Sequence, residues 1–244
     1  MIKFFRKIRQ RFLSEGKLSK YLFYALGEII LVVIGILIAV SINNWNEARK
    51  NAISEHQLLS SLRKDMLLNQ EELQRVLDKS VRTSLSSDSL LKAARHELGP
   101  FTNELLTDLI IDGTNFTIYT THEGTIQDIM GSGKLDLIRN DSIRLAIASW
   151  NVNLRHLREW EKIERNSTDE YMKYLQKNLD MHKHRPDSLL TKEIEEQIFN
   201  DRIFLNRVAN RSRLPGILNE YYQMEVPKLE RLLAHLNQAL EIEQ

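Results

Sequence analysis

The chain has 244 residues, with 34 Lys+Arg against 33 Asp+Glu, 42% apolar residues, 9 Gly, 4 Pro and no Cys. These figures exclude collagen-like, disulfide-stapled and low-complexity disordered classes, and they disfavour zinc sites built on thiolates. The near-neutral total hides two electrical parts: residues 1–42 carry seven basic and two acidic residues, whereas residues 43–244 carry 27 and 31.

The first 20 residues place Phe4, Ile8 and Phe12 on one helical stripe and Lys3, Lys7 and Arg11 on the next. Two readings stay open for this segment. One is an amphipathic helix lying on anionic lipid, with Lys3, Arg6, Lys7, Arg9 and Arg11 as its membrane-surface basic residues, each contributing on the order of 1 kcal/mol. The other is a plain topology signal.

From Tyr21 to Ile42 the only charge is Glu28. At roughly 1.5 Å per residue such a run covers about 33 Å, enough for a hydrocarbon core of about 30 Å. Tyr21, Tyr24 and Trp45 fall where amphipathic rings prefer the headgroup level. The run predicts one transmembrane helix over 21–42. A buried core helix and a cleaved signal peptide are the competing readings, the second with Ala39-Val40-Ser41 as a small-x-small site, but the preamble and apolar length disfavour both. The basic preamble predicts a cytoplasmic N-terminus, so that residues 43–244 lie on the far side, which in a Gram-negative cell is the periplasm. Membrane lipids are thus an expected partner. Gly27, Leu31, Gly35 and Ala39 recur every four residues and, with Glu28, form a candidate helix-contact face.

Residues 1–50 also resemble the N-terminal signature of a large domain-of-unknown-function family of membrane proteins abundant in Bacteroidota. The matching positions are Phe4, Phe5, Arg6, Tyr24, Gly27, Glu28, Gly35, Ile36, Asn43, Asn44, Trp45, Asn46 and Glu47, with a looser match over Ser132 to Ile147. The resemblance implies a bacterial single-pass inner-membrane protein with a mostly helical periplasmic region, and it implies no reaction, substrate or cofactor.

Beyond Asn46 the chain has helix-forming composition to about Leu98. Leu59, Leu62, Met66, Leu73 and Val76 return at coiled-coil spacing, and Asn69 interrupts them. Gly99-Pro100 stops the run, and the Ser/Thr-rich stretch from Thr83 to Ser89 is a candidate break within it. Whether this helix continues from the membrane segment is left open. A short helix is expected over about Thr102 to Ile111. Asn115 to Thr121, NFTIYTT, is expected to be an extended segment or edge pairing outside any sheet. A helix from about His122 to Met130 should end at Gly131-Ser132-Gly133. After a turn, Asp141 is expected to cap a long helix to about Lys183, with Leu145, Ala148, Val152, Leu157, Trp160, Ile163, Tyr171, Tyr174 and Leu175 as its apolar face. His184-Arg185-Pro186-Asp187 should break it, with Asp187 or Ser188 capping a helix to about Asn210. Leu214-Pro215-Gly216 should open a last helix kinked at Pro227. The fold class expected is all-α, one N-terminal transmembrane helix followed by a long-helix antiparallel bundle over 43–244.

Candidate chemistry is sparse. Gly131-Ser132-Gly133-Lys134 lacks the first Gly and the final Ser/Thr of a phosphate loop, since Asp128 and Leu135 stand there, so it reads as a turn. His182 and His184 supply two metal ligands without a third, and a cationic helix end is the simpler reading. His122-Glu123 does not continue into a zincin pattern, and a serine triad is neither shown nor excluded. The alternating charges Arg155, Arg158, Glu159, Glu161, Lys162, Glu164 and Arg165 read as a solvated face. Trp150, Trp160, Tyr221 and Tyr222 read as core or groove lining, and the acidic balance of residues 43–244 argues against nucleic acid. No cofactor and no metal site is expected. The expectation is a non-enzymatic scaffold that associates with itself or with a membrane or periplasmic protein. The alternatives are a ligand-sensing bundle that signals through a membrane partner and, third, an envelope enzyme.

Overall fold

The computed structural model describes residues 18–97, 99, 101–181 and 190–241. Six α-helices are present among them: α1 (Leu18–Ala94), α2 (Asn103–Asp112), α3 (Gly124–Ser132), α4 (Asp141–Asn178), α5 (Lys192–Phe199) and α6 (Arg202–Glu241). A 3₁₀ turn at Lys134–Leu137 follows α3, and no strand occurs among the described residues. The chain divides into two compact units, Met1–Glu55 and His56–Gln244.

In Met1–Glu55 the described residues all belong to α1, which is assigned as one helix running on past Ile42 and Trp45. One stretch of this helix is apolar and long enough to cross a membrane. Its large side chains face outward, Phe23 at 78% and Leu31 at 73% exposure.

In His56–Gln244, α1 buries Leu59, Leu62, Met66, Asn69, Leu73, Val76, Ser80, Thr83, Ser87 and Leu90, each at most 2% exposed. Their separations alternate between three and four residues, the period that keeps one stripe of a helix facing a partner. The Ser/Thr-rich stretch therefore does not break α1. Within it Thr83 and Ser87 are buried. The part-buried Ser84 hydroxyl donates to the Ser212 carbonyl (2.6 Å), and just before the stretch the buried Ser80 hydroxyl donates to the Leu77 carbonyl (2.8 Å) and accepts from Asn219 Nδ2 (2.8 Å). Arg63 Nε donates to Asn237 Oδ1 at 2.6 Å, so partner numbers on α6 fall as those on α1 rise.

Two apolar clusters make the core. The first gathers Leu62 and Met66 of α1, Ile126 of α3, Ile147 and Leu157 of α4, and Leu218 and Leu236 of α6. The second gathers Leu90 of α1, Ile110 of α2, Tyr171 and Leu175 of α4, Ile198 of α5, and Phe204 of α6. The sequence intervals between them carry buried polar groups on every long helix: Ser80, Thr83 and Ser87 on α1, Glu161, Glu164 and Thr168 on α4, and Arg211 on α6.

Several boundaries differ from the sequence expectation. Asn140, not Asp141, caps α4, its side chain accepting from the amides of Ser142 (2.9 Å) and Ile143 (3.1 Å). The buried face of α4 is Ile143, Ile147, Leu154, Leu157, Glu161, Glu164, Thr168, Tyr171, Tyr174 and Leu175. Leu145, Val152 and Ile163 stand 70%, 56% and 44% exposed, because two glutamates occupy places that a hydropathy reading assigns to apolar residues. Helix α4 ends at Asn178, and Thr191 caps α5 through a bond from the Ile194 amide (3.3 Å). The expected break and cap at His184 to Ser188 lie outside the described residues. The helix expected to reach Asn210 is split at Asn200 and Asp201, where Asp201 Oδ1 accepts from the Ile203 amide at 2.7 Å and starts α6. Pro215 opens nothing, lying inside α6 with Leu214 and Leu218 buried beside it. That burial offsets the roughly 3 kcal/mol that an interior proline costs.

Candidate functional site: a clasped strap and the apolar segment

Residues 115–122 form a strap between α2 and α3 with neither helix nor strand. Its β-branched composition resists helix formation, and as expected it joins no sheet among the described residues. A buried extended chain needs a partner for each amide and carbonyl, and neighbouring helices have already used their own backbones. Side chains therefore supply the bonds. Arg211 donates through Nε to the Gly113 carbonyl (2.9 Å) and through a terminal nitrogen to the Asn115 carbonyl. Thr117 is buried beside the Glu164 carboxylate. The Tyr119 amide donates to Glu161 Oε1 (2.7 Å), and Arg158 donates to the Tyr119 carbonyl (2.7 Å) and to Thr121 Oγ1 (3.1 Å). Asn69 clasps the far end with two bonds, accepting from the His122 amide (2.6 Å) and donating to the His122 carbonyl (2.9 Å). Beyond the α2 cap at Gly113, the inward groups fall at 115, 117 and 119, the two-residue period of extended backbone.

The clasp is strongly electrostatic. Arg211 is fully buried, bonds Glu164 Oε1 at 2.7 Å and also reaches the Glu164 carbonyl at 3.4 Å. Glu164 Oε2 and Thr117 Oγ1 are buried without a hydrogen-bond partner, which makes this the least satisfied part of the seam. Burial pushes the Glu164 carboxyl above its ordinary value, against the attraction of the Arg211 guanidinium. Glu161 also accepts from the Tyr222 hydroxyl (3.1 Å) and from Arg158 (3.2 Å). Burial pushes the Tyr222 and Tyr119 phenols up, so both remain donors throughout the physiological range. These groups hold an extended chain, and the strap occupies the bonds they offer.

The residues singled out from sequence fall elsewhere. Gly27, Leu31, Gly35 and Ala39 are exposed along α1 and Glu28 is half-buried. A Cβ added at Gly27 or Gly35 would meet nothing within 4 Å. Lys3, Arg6, Lys7, Arg9 and Arg11 lie outside the described residues, as do His182 and His184. Among the described residues no cluster of three metal-ligating side chains occurs. Gly133 has φ 71°, the left-handed position that closes α3, and Lys134 pairs with Asp128 at 3.1 Å, so the Gly-Ser-Gly-Lys run is a turn. Trp150 donates to Glu123 (3.1 Å), Trp160 packs on Tyr221 with ring centroids 5.5 Å apart, and Tyr222 is buried. Glu161 and Glu164, expected on a solvated face, are 4% and 1% exposed. Their spacing from Leu157, Thr168 and Tyr171 on the heptad line was the available signal.

The fold is thus that of an all-helical protein with one candidate membrane-spanning helix. The chain belongs to a family of unknown function, DUF6090, whose model matches residues 28–209. The match takes in Gly35, Ala39, the strap and the clasp residues Asn69, Arg158, Glu161 and Glu164, and it ends just before Arg211. No curated protein and no solved structure matches the chain.

Proposed function

We propose that the protein is a non-enzymatic, membrane-anchored interaction module. In this reading residues 1–20 lie on the cytoplasmic face, residues 21–42 cross the inner membrane of a bacterial cell, and residues 43–244 form a periplasmic antiparallel bundle. The bundle binds a protein partner or a second copy of the chain. The observation that carries the reading is the exposed apolar stretch of α1. Fourteen large apolar side chains between residues 22 and 42 are exposed. At roughly 1.5–3 kcal/mol for each such side chain left in water, the cost reaches tens of kcal/mol, which a bilayer removes. The open surface at Gly27, Gly35 and Ala39 supports close approach of a second helix within the membrane.

The test is purification of the full-length protein in mild detergent at native expression level, with mass photometry. A defined complex larger than one chain, reduced in mass by Gly35→Leu, is expected. A strictly monomeric protein with no co-purifying partner contradicts the interaction reading.

A further inference from the structure

We propose that Arg49 and Trp45 form a seat for the phosphodiester of a phospholipid headgroup at the C-terminal edge of the apolar segment. The proposal rests on the membrane anchorage argued above and names a ligand for its outer end. Apolar sequence ends at Ile42, and Trp45 follows on the same helix, 65% exposed. At about 1.5 Å per residue the Trp45 backbone stands about 4.5 Å beyond that edge, inside a headgroup layer roughly 5–7 Å deep on each side of the bilayer.

Arg49 lies one turn further out, yet its charge does not stay there. Side chains on an α-helix lean toward its N-terminus, which for this residue is the direction of the membrane. The guanidinium carbon sits over the Trp45 ring, 5.9 Å from its centroid. The cation is thereby brought back to the depth of the ring. This cation–π contact favours one rotamer of a long side chain, which lowers the ordering cost of binding. The guanidinium keeps planar donors that match two oxygens of a phosphate, and the indole N–H is a further donor at the same level. No carboxylate among the described residues pairs with Arg49. Glu47 is two residues from each of Trp45 and Arg49, hence on the opposite side of the helix. The pair thus offers a pre-positioned cation, with no carboxylate partner among the described residues, to the anionic layer of a membrane.

The test uses full-length protein in nanodiscs containing phosphatidylglycerol, with Trp150→Phe and Trp160→Phe leaving Trp45 as the sole indole. Trp45 emission should be quenched most by lipids brominated near the headgroup. Native mass spectrometry after extraction should show phosphatidylglycerol retained, and Arg49→Gln should lower that retention about fivefold. That factor corresponds to roughly 1 kcal/mol per basic side chain near an anionic surface. Arg49→Lys should recover only part, and added inorganic phosphate should not displace the lipid. Equal retention by Arg49→Gln, with Trp45 still quenched at the interface, overturns the seat and leaves the anchorage standing. Displacement of the lipid by inorganic phosphate overturns the assignment to a headgroup. Absence of quenching by any brominated lipid overturns the anchorage and the seat together.

Discussion

Replacing Arg211 by Met tests whether the clasp holds the bundle together. The substitution keeps much of the side-chain volume but removes the partner of Glu164 Oε1 and the donors to the carbonyls of Gly113 and Asn115. Breaking a buried ion pair by removing one member costs roughly 3–5 kcal/mol, because the other charge stays buried. Each orphaned carbonyl adds about 1–3 kcal/mol. The expected loss is therefore about 5 kcal/mol or more, a large share of the roughly 5–15 kcal/mol available to a domain. In Arg211→Met/Glu164→Leu the buried carboxylate is gone as well, and only the two carbonyls remain unserved. The double variant should then lie about 2–6 kcal/mol below wild type and above the single variant. Urea denaturation of the detergent-solubilised full chain, followed by tryptophan emission, provides the assay, since Trp150 and Trp160 both lie on α4. A loss under 1 kcal/mol for Arg211→Met, or strictly additive effects in the cycle, would refute the claim that the pair acts as one unit.

Three further outcomes are expected in the same assay. Gly113→Ala should cost about 1–3 kcal/mol, since the added Cβ would stand 2.9 Å from Tyr171 Cε1 in a fully buried ring; an unchanged midpoint would show that the ring yields freely. His96 closes α1 with φ 54°, a left-handed conformation that favours glycine, so His96→Gly should raise stability by about 0.5–1 kcal/mol, and a lower midpoint would count against strain there. For Glu164 the raised folded-state carboxyl means that the unfolded chain releases its proton first as pH rises. Its contribution is full below the unfolded value and is lost, at up to about 1.4 kcal/mol per pH unit, until pH passes the raised folded value. The stability of wild type relative to Glu164→Gln should therefore fall as pH rises from about 4.5, and a relative gain with pH would reverse the assignment.

Much of this architecture is legible in the sequence where burial and hydropathy agree. The stripe Leu59, Leu62, Met66, Leu73 and Val76 locates the inner face of α1, and NFTIYTT announces an extended segment. Legibility stops where the core is polar. Asn69 reads as an interruption of the stripe, yet its amide is fully buried because it pairs with the His122 backbone. Glu161 and Glu164 read as solvated charges for the same reason: hydropathy assigns a carboxylate to water unless its partner is known. Those partners, the Tyr119 amide and Arg211, stand 42 and 47 residues away in the chain. The offset of the α4 face toward Leu145 and Val152 follows from that error, since with the glutamates set aside the remaining apolar residues trace a neighbouring stripe. The α6 boundary failed differently, because proline rules describe local cost and not the packing that offsets it at Pro215.

The central claim, a single membrane crossing with the bundle on the far side, is tested most directly by single-cysteine labelling, because the chain has no Cys of its own. Leu145→Cys places a thiol at an exposed position of α4, and Ser14→Cys places one in the basic preamble. With an impermeant thiol reagent on cells whose outer membrane has been opened, Leu145→Cys should label at once and Ser14→Cys only after the inner membrane is lysed. Both proteins should stay with the membrane through carbonate washing. Release of the chain into the soluble fraction, or labelling of Ser14→Cys before Leu145→Cys, would contradict the account.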